Sequence, residues 1–396
     1  MDKNLKTLNN LNLVRTSTVP FFVVTQLNKQ YSTLVDFGVK LTIITSDGPE
    51  IDQIVSGDGI KLHIINIERK ISIIRDLRAL FEVWSYLIDN KPTIVHSTTP
   101  KAGMITSLAA FFSRVPIRLH TFTGQPWVSL TGVNKFLARL GDLIIGKLCT
   151  FCYADSASQV DFLLENRIVD SAKIKVIGAG SLSGVDLVRF DPSRFNEGDR
   201  LNLRENLGIP CDAVILLFVG RVTADKGIGE LIAAFLSLKS SNSNVHLVLV
   251  GPIEDKESKF GNYYLDDLSV IKEVHFVGYT STPELYMYSA DILCLPSYRE
   301  GFGTVVIEAA AMKLPTIASD IYGLRDAVVH NQTGILCTPR DISSLYNAIN
   351  SLVKNEELRI RMGCNAQKRV VKEFGSDVIN LALIREYASL LNNVKS

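Results

Sequence analysis

Several features that define other protein classes are missing from this sequence. Its 396 residues contain no apolar run that approaches the roughly 20 residues of a membrane-spanning helix. The net charge is only +1, far from the basic excess of nucleic-acid-binding proteins, so we expect no nucleic-acid partner. The opening residues, M-D-K-N-L-K-T-L-N-N, lack the apolar core of a signal peptide. We therefore expect a cytoplasmic protein.

Cysteine is scarce, and no metal-binding pattern is evident. The six cysteines are scattered, and the C-x-x-C spacing of Cys149 and Cys152 has no second pair to accompany it. Buried, reduced thiols are therefore favoured over zinc or redox chemistry. No cluster of strand-end aspartates is found, since Asp266 and Asp267 fall in a predicted surface helix. We expect neither a metal ion nor a cofactor.

A nicotinamide-binding fingerprint is also missing, because no G-x-G-x-x-G follows the first strand of either half. What the sequence does contain is a repeated alternation of short apolar strands and helices. This alternation predicts parallel, doubly wound α/β sheets. The length suits two domains of about 190 residues better than one core. The glycine- and serine-rich break at 178–184 places the domain boundary shortly after it.

The most informative stretch runs from Ser297 to Gly323 and reads as a loop, a helix and a strand. An apolar strand at 292–295 precedes it. Gly301 and Gly303 allow a tight turn, and we expect Thr304 to cap the helix with its hydroxyl group. A glycine loop that leads into a helix at the carboxyl end of a strand is typical of phosphate binding in α/β sheets.

Two carboxylates, Glu300 and Glu308, frame this glycine loop. Carboxylates beside a phosphate site suit the hydroxyl groups of a sugar or a ribose, which donate hydrogen bonds to them. The alternative is structural, with one glutamate near a helix end and one exposed on the helix. For two glutamates at this spacing alone, that alternative is favoured.

The run E-G-F-G-T-V-V-I-E-A-A-A-M-K-L-P at 300–315 resembles the Glu-x7-Glu signature of glycosyltransferase family four. Runs at 95–103, 118–125, 178–186 and 219–227 are similar to those of its bacterial surface-polysaccharide members. The resemblance implies a GT-B fold, in which two Rossmann-like doubly wound domains face each other across a cleft. It implies an acceptor-side domain at 1–187, a nucleotide-sugar domain at 188–375, and a last helix at 376–396 that crosses back to the first domain.

The resemblance also implies roles for individual residues. Arg221 and Lys226 match the cations that bind the diphosphate, Glu308 the ribose-binding glutamate, and Glu300 the glutamate beside the transferred sugar. His120 matches a catalytic-site histidine, although a single histidine at a strand end is more often structural. The other residues assigned to the donor are Gly301, Phe302, Gly303 and Thr304, through their amides, and Tyr279. The residues assigned to the acceptor are Lys101, Thr123, Gly124 and Gln125.

The sequence departs from the family in the loop after the first strand, and it leaves two interpretations of one group of basic and aromatic residues. Many family members have a glycine pair after the first strand, whereas this chain has T-S-T-V-P at 16–20. Basic residues at 69–78, with Phe111, Phe112 and Trp127, suit contact with the inner face of the cytoplasmic membrane. The alternative, favoured on residue type alone, is that these aromatic side chains are in the core and the basic residues are solvated.

The resemblance therefore implies a retaining, metal-independent glycosyltransferase. We expect it to move a hexose or an N-acetylhexosamine, of the GalNAc or GlcNAc type, from a UDP-sugar to a polyprenyl-diphosphate-linked sugar. The product would belong to an O-antigen or capsule polysaccharide. A transferase with a soluble acceptor and an inactive nucleotide-sugar-binding protein are the alternatives.

Overall fold

The computed structural model describes residues 8–54, 59–68, 72–239, 244–253, 259–260, 263–264, 268 and 270–395. The chain divides into two compact units. The first comprises residues 1–184 and 376–396, and the second comprises residues 185–375. In the described part of the chain, no helix has the length and apolar content that crossing a bilayer requires.

The first unit is built on a parallel sheet. Its strands are β1 (Asn12–Thr16), β2 (Lys40–Thr45), β3 (Ile60–Ile64), β4 (Ile94–Thr98), β5 (Ile117–Phe122), β6 (Phe151–Ala154) and β7 (Ile174–Val176). Their order across the sheet is β3-β2-β1-β4-β5-β6-β7. The order therefore reverses between β1 and β4.

Helices pack on this sheet, and the last helix of the chain is one of them. The helices are α1 (Pro20–Phe22), α2 (Asn28–Asp36), α3 (Ile73–Asn90), α4 (Pro100–Phe112), α5 (Gly132–Leu148), α6 (Ala157–Glu165) and the C-terminal helix (Ser376–Lys395). Tyr387 of the C-terminal helix places its hydroxyl 2.7 Å from Nη1 of Arg15 and 2.6 Å from Nδ1 of His96. All three side chains are buried, so this contact fixes the helix on β1 and β4.

The second unit has a second parallel sheet. Its strands are β8 (Val214–Val219), β9 (Val245–Val250), β12 (Val274–Gly278), β13 (Ile292–Leu295), β14 (Thr316–Ser319) and β15 (Gly334–Cys337). Their order is β12-β9-β8-β13-β14-β15. The short strands β10 (Lys259–Phe260) and β11 (Tyr263–Tyr264) pair with each other as an antiparallel ribbon. Apolar side chains fill β8, β9 and β13, as expected of parallel strands covered on both faces.

The helices of the second unit cover that sheet. They are α7 (Glu197–Asn206), α8 (Ile228–Lys239), α9 (Pro283–Ser289), α10 (Thr304–Ala311), α11 (Leu324–Ala327), α12 (Ile342–Val353) and α13 (Glu356–Glu373). With both sheets parallel, the predicted pair of Rossmann-like α/β domains is confirmed. Cys149 and Cys152 are buried free thiols, as predicted. Arg69, Lys70, Asp266 and Asp267, which the sequence predictions used, lie outside the described residues.

Candidate functional site

The strand order of the second sheet reverses between β8 and β13. Ligands of doubly wound sheets bind at the carboxyl ends of the strands beside such a reversal. Glycines bring the loops after the strands close together there. Gly251 has φ +137°, and a Cβ at this residue would lie 1.9 Å from the carbonyl oxygen of Gly220. The loops after β8 and β13 are therefore where a ligand is expected.

Lys226 and Glu300 meet at this reversal point. Nζ of Lys226, which follows β8, lies 2.6 Å from Oε1 of Glu300, which follows β13. Their side chains are 16% and 15% exposed. Gly227 allows the approach, because its φ is +70° and a Cβ there would lie 2.1 Å from the carbonyl oxygen of Pro296. The structure thus brings together two of the residues that the sequence assigned to the site.

More positive charge surrounds this ion pair. Arg221 is exposed, and Nη2 of Arg299 lies 3.6 Å from Oδ2 of Asp225. Burial alone would raise the pKa of Asp225, but a hydrogen bond from Thr223 and the charges of Lys226, Arg221 and Arg299 hold it below its ordinary value. Arg299 was not predicted from the sequence. Its position directly before Glu300 could have indicated that it belongs to the site.

The glycine loop lies directly after Glu300. Gly301 and Gly303 are buried, and the side chain of Phe302 packs in the core with its ring centroid 5.1 Å from that of Phe374. Only the backbone of Phe302 can therefore face a ligand. The prediction that Thr304 caps the helix is wrong. Gly303, with φ +83°, holds the N-cap position, and no side chain caps α10, because Thr304 is already its first helical residue.

Glu308, on α10, interacts electrostatically with two charged side chains of other elements, Arg189 and Glu284. Burial raises the pKa of Glu308 to about 7; the carboxylate of Glu284 adds to this shift, and the guanidinium of Arg189 opposes it. Nη2 of Arg189 lies 2.8 Å from Oε2 of Glu284 and also donates to the carbonyl oxygen of Ser281 at 2.7 Å. Arg189 and Glu284 were also missed, because 95 residues separate them and neither belongs to a motif.

Tyr279 is the predicted donor residue that lies furthest along the sheet from this reversal point. It follows β12 and its side chain is 65% exposed. The strand order places β9 between β12 and β8, so one strand separates Tyr279 from the loop of Arg221 and Lys226.

In the first unit, the reversal lies between β1 and β4, where two threonines meet. The hydroxyl groups of Thr18 and Thr99 are 2.7 Å apart. Thr99 has φ +68°, a conformation that costs a β-branched residue about 1–3 kcal/mol and that is often found at functional sites. Lys101, in the first turn of α4, is ion-paired with Asp76 of α3 at 2.6 Å. Thr18 belongs to the run that lacks the usual glycine pair, where any acceptor role was expected to come from hydroxyl groups. Thr99, in the run that follows β4, was not predicted.

His120 is buried within the first unit. Its Nδ1 lies 2.9 Å from Oγ of Ser97 on the neighbouring strand, and its ring packs edge-on against Phe122. Burial lowers the pKa of His120 to about 3, so the imidazole is neutral at physiological pH. Gly103 of α4 provides the space, because a Cβ there would lie 2.4 Å from Cε1 of His120. These are the surroundings of a structural histidine, and a role for His120 in the site stays a prediction.

The loop after β5 carries the other predicted acceptor residues. Thr123 is partly buried and Gly124 has φ +119°, while the buried side chain of Gln125 accepts a hydrogen bond from Gln159 at 3.3 Å. The suggestion that Trp127 contributes to a membrane-facing surface is wrong. Its indole is buried and donates to Oδ2 of Asp142 at 2.7 Å.

Two family models match the chain. One, described as a glycosyl transferase 4-like domain, matches residues 23–180, and the other, described as glycosyl transferases group 1, matches residues 199–369. Among the described residues, no three His, Cys, Asp or Glu side chains are grouped as metal ligands would be.

Several known proteins are similar over most of the chain. The capsular polysaccharide biosynthesis glycosyltransferase CapM of Staphylococcus aureus is 32% identical over 343 residues, which cover 85% of this chain and 86% of CapM. The Escherichia coli UDP-Gal:alpha-D-GlcNAc-diphosphoundecaprenol alpha-1,3-galactosyltransferase is 28% identical over 310 residues, covering 77% of this chain and 78% of that enzyme. The crystal structure of Anabaena HepE in complex with UDP and glucose aligns with a TM-score of 0.79 at 19% identity, covering 96% of this chain and all of HepE. This last likeness concerns the fold.

Proposed function

Because the chain belongs to the GT-B glycosyltransferases of the family-four type, we propose that it transfers a hexose or an N-acetylhexosamine from a UDP-sugar to a polyprenyl-diphosphate-linked sugar. The transfer retains the anomeric configuration, and the product is part of a capsule or O-antigen polysaccharide. The observation that carries this proposal is the contact between Lys226 and Glu300 beside the glycine loop.

The second unit supplies the donor site in this proposal. Lys226, Arg221 and Arg299 neutralise the diphosphate, and the amides at the start of α10 donate to its oxygens, as helix N-termini do. Glu308 accepts hydrogen bonds from the ribose hydroxyl groups. The fold likeness to HepE, whose structure contains UDP, supports a uridine nucleotide.

The bond changes follow from this arrangement of charge. The bond between the anomeric carbon and the β-phosphate oxygen of UDP breaks, and the acceptor hydroxyl oxygen forms a new bond to that carbon. The hydroxyl proton passes to the departing diphosphate. Preorganised cations stabilise the negative charge that develops on the leaving group, which is the part a divalent ion plays in other transferases. The reaction therefore needs no metal ion.

The acceptor assignment rests on the relatives. CapM is named for capsular polysaccharide biosynthesis, and the E. coli relative is named for an acceptor on diphosphoundecaprenol. Both cover more than three quarters of the chain, so each alignment must include part of the first unit. A lipid-linked acceptor is therefore favoured over a soluble one.

An exposed apolar surface on the first unit suits such an acceptor. Helix α4 packs against both α3 and α5. The exposed apolar residues on these helices include Ile73, Ile74, Leu77, Phe81, Phe111, Phe112, Val133 and Phe136. Ile74 is 82% and Phe136 66% exposed. Because apolar side chains interleaved with basic ones favour an anionic bilayer surface, we propose that this apolar surface contacts the inner face of the cytoplasmic membrane.

A donor screen tests the proposed activity. Purified protein is incubated with UDP-, GDP- and dTDP-sugars in EDTA, with membrane extract or GlcNAc-diphospholipid as acceptor, and released nucleotide and lipid-linked product are measured. We expect one UDP-sugar to be used, with the activity lost in Glu308→Ala and Lys226→Ala. Product that forms only with water-soluble acceptors would move the function to the soluble class. Donor binding without product on any acceptor would indicate an inactive binding protein.

Vesicle sedimentation tests the membrane contact. We expect Phe81→Ser with Ile74→Ser to reduce binding to phosphatidylglycerol vesicles. Val270→Ser, which changes an equally exposed side chain on the second unit, is the matched control and should bind as the unmodified protein does. Equal binding by all three proteins would exclude the apolar surface as the membrane contact.

A further inference from the structure

Two ion pairs lie side by side in the loops after β8 and β13. Nζ of Lys226 lies 2.6 Å from Oε1 of Glu300, and Nη2 of Arg299 lies 3.6 Å from Oδ2 of Asp225. Asp225 directly precedes Lys226 in the first of these loops. Arg299 directly precedes Glu300 in the second. Each loop therefore contributes one cation and one carboxylate, and two cations assigned to the diphosphate already have carboxylate partners within the protein.

Contacts of Tyr298 hold the backbone around these ion pairs in place. Its amide donates to the carbonyl oxygen of Asp225 at 2.9 Å, which ties the two loops together. Its hydroxyl donates to Oε1 of Glu230 at 2.5 Å, and Cζ of Arg340 lies 4.4 Å from the centroid of its ring. Because the loops cannot separate without breaking these contacts, the ion pairs exchange partners through rotation of their side chains. The flexible four-carbon stem of Lys226 permits such a rotation.

The two carboxylates resemble a diphosphate in what they offer to these cations. A carboxylate and a phosphate both present oxygen acceptors to ammonium and guanidinium groups. Asp225 is ionised at neutral pH. Burial opposes its ionisation, but the hydrogen bond from Thr223 and the neighbouring cations outweigh burial and lower its pKa. A diphosphate that binds Lys226 and Arg299 must therefore displace these carboxylates or share the cations with them.

We propose that the carboxylates of Asp225 and Glu300 compete with the diphosphate for its cations, and that this competition promotes the release of UDP after transfer. The inference rests on the proposed function, since that function supplies the diphosphate and the sugar. Asp225 is a positioning residue in this scheme, because it acts on the diphosphate through Arg299. Glu300 acts both on the sugar and, through Lys226, on the diphosphate.

The transferred sugar decides the competition for Lys226. While the sugar is attached to UDP, its hydroxyl groups donate hydrogen bonds to Glu300, which weakens the hold of Glu300 on Lys226. The ammonium group is then available to the diphosphate. Once the sugar has passed to the acceptor, Glu300 loses those hydrogen bonds and competes fully for Lys226. Product release limits the turnover of many enzymes, so this competition bears on the rate of the whole cycle.

Binding of UDP in EDTA tests the inference without a transfer reaction. We expect Glu300→Gln and Asp225→Asn each to bind UDP about three- to tenfold more tightly than the unmodified protein in calorimetric titration, which is the strength of one partly exposed ion pair. UDP dissociation in stopped-flow measurements should be slower to match. Damage to the fold lowers affinity, so it does not explain a gain. Unchanged or weaker UDP binding in both variants would overturn the inference.

Glu273→Gln is the matched control, because it breaks another lysine–glutamate pair of the same unit. Oε2 of Glu273 lies 2.5 Å from Nζ of Lys239, and the glutamate side chain is 20% exposed. Glu273 directly precedes β12, so it lies at the amino end of the sheet, away from the loops after β8 and β13. Its UDP affinity should equal that of the unmodified protein. A gain as large as that of Glu300→Gln would assign the effect to net charge and overturn the inference.

A double-mutant cycle separates competition for Lys226 from long-range repulsion between Glu300 and the diphosphate. Lys226→Gln removes the shared partner and is titrated at higher UDP concentration, because it binds more weakly. Adding Glu300→Gln to this variant should give no further gain in UDP affinity. A full gain would mean that Glu300 acts through its charge alone, and would overturn the inference. If the unmodified protein does not bind UDP, the proposed donor site is wrong, and the inference falls with it.

Discussion

The protonation of Glu308 should control nucleotide-sugar affinity near neutral pH. Its pKa is raised by burial to about 7, from an ordinary value of 4.5. An ionised carboxylate can accept a hydrogen bond from each of the two ribose hydroxyl groups. A protonated carboxyl group has an O–H donor on one of its oxygens, so it accepts these hydrogen bonds less well. The ionised fraction is about a tenth at one pH unit below the pKa and about nine-tenths at one unit above it. If only the ionised form binds, the apparent affinity rises about tenfold between pH 6 and pH 8.

Calorimetric titration with the UDP-sugar from the donor screen measures this dependence. A UDP-sugar is a diphosphate diester, so its own charge does not change over this interval. Glu308→Gln is neutral at every pH and should bind weakly with a flat profile. Arg189→Gln removes the charge that opposes the shift, so its profile should move to higher pH. An equally steep profile in Glu308→Gln would refute the assignment.

The same protonation should appear in stability. The folded state holds the Glu308 proton more tightly than the unfolded chain does, because its pKa is raised. The contribution of this group to stability is therefore full below pH 4.5 and is lost as the pH rises through about 7. Urea unfolding of Glu308→Gln should lack this decline. A decline of equal size in the variant would assign it to other groups.

Three further changes test the packing around the site. Gly227→Ala would put a Cβ 2.1 Å from the carbonyl oxygen of Pro296, so we expect weaker donor binding together with a lower melting temperature. Arg204→Met removes a buried guanidinium that donates to four carbonyl groups, three of them in the loop after α7, and to the carboxylate of Asp291, and should cost about 3–5 kcal/mol in urea unfolding. Tyr387→Phe removes the hydroxyl beside Arg15 and should cost about 1–3 kcal/mol; a neutral result in either would contradict the corresponding contact.

Local patterns were sufficient for the elements that carry the site. The strand at 292–295 is apolar and short, and the helix that begins at Thr304 is rich in alanine, so both were predicted where the structure has them. Capping at Thr304 was predicted wrongly, because the choice between a hydroxyl cap and a glycine cap depends on the φ of Gly303. Helix α7 was missed despite a local signal: Asn196 and Asp199 form a capping box at its start.

Contacts between distant residues could not be predicted in the same way. Lys226 and Glu300 were each assigned to the site by resemblance. Their contact depends on β8 and β13 being neighbours in the sheet, and the periodicity of a sequence does not determine the order of its strands. Trp127 shows the same limit for burial. An aromatic residue in a polar loop suits either the surface or the core. The indole N–H of Trp127 donates a hydrogen bond to Asp142 of α5, and this contact between elements favours the core.

The two glutamates of the signature have different surroundings, and this difference suggests a division of labour. The carboxylate of Glu300 lies 2.6 Å from the ammonium group of Lys226, so its charge has a close partner of opposite sign. Glu308 shares Arg189 with a second carboxylate, Glu284, so its charge is only partly compensated and depends on pH. In the proposed site, a carboxylate paired with a cation suits the position beside the reacting sugar, where the electrostatic field must already be in place. A carboxylate whose charge is only partly compensated suits the proposed ribose position, where changes in its protonation alter donor affinity.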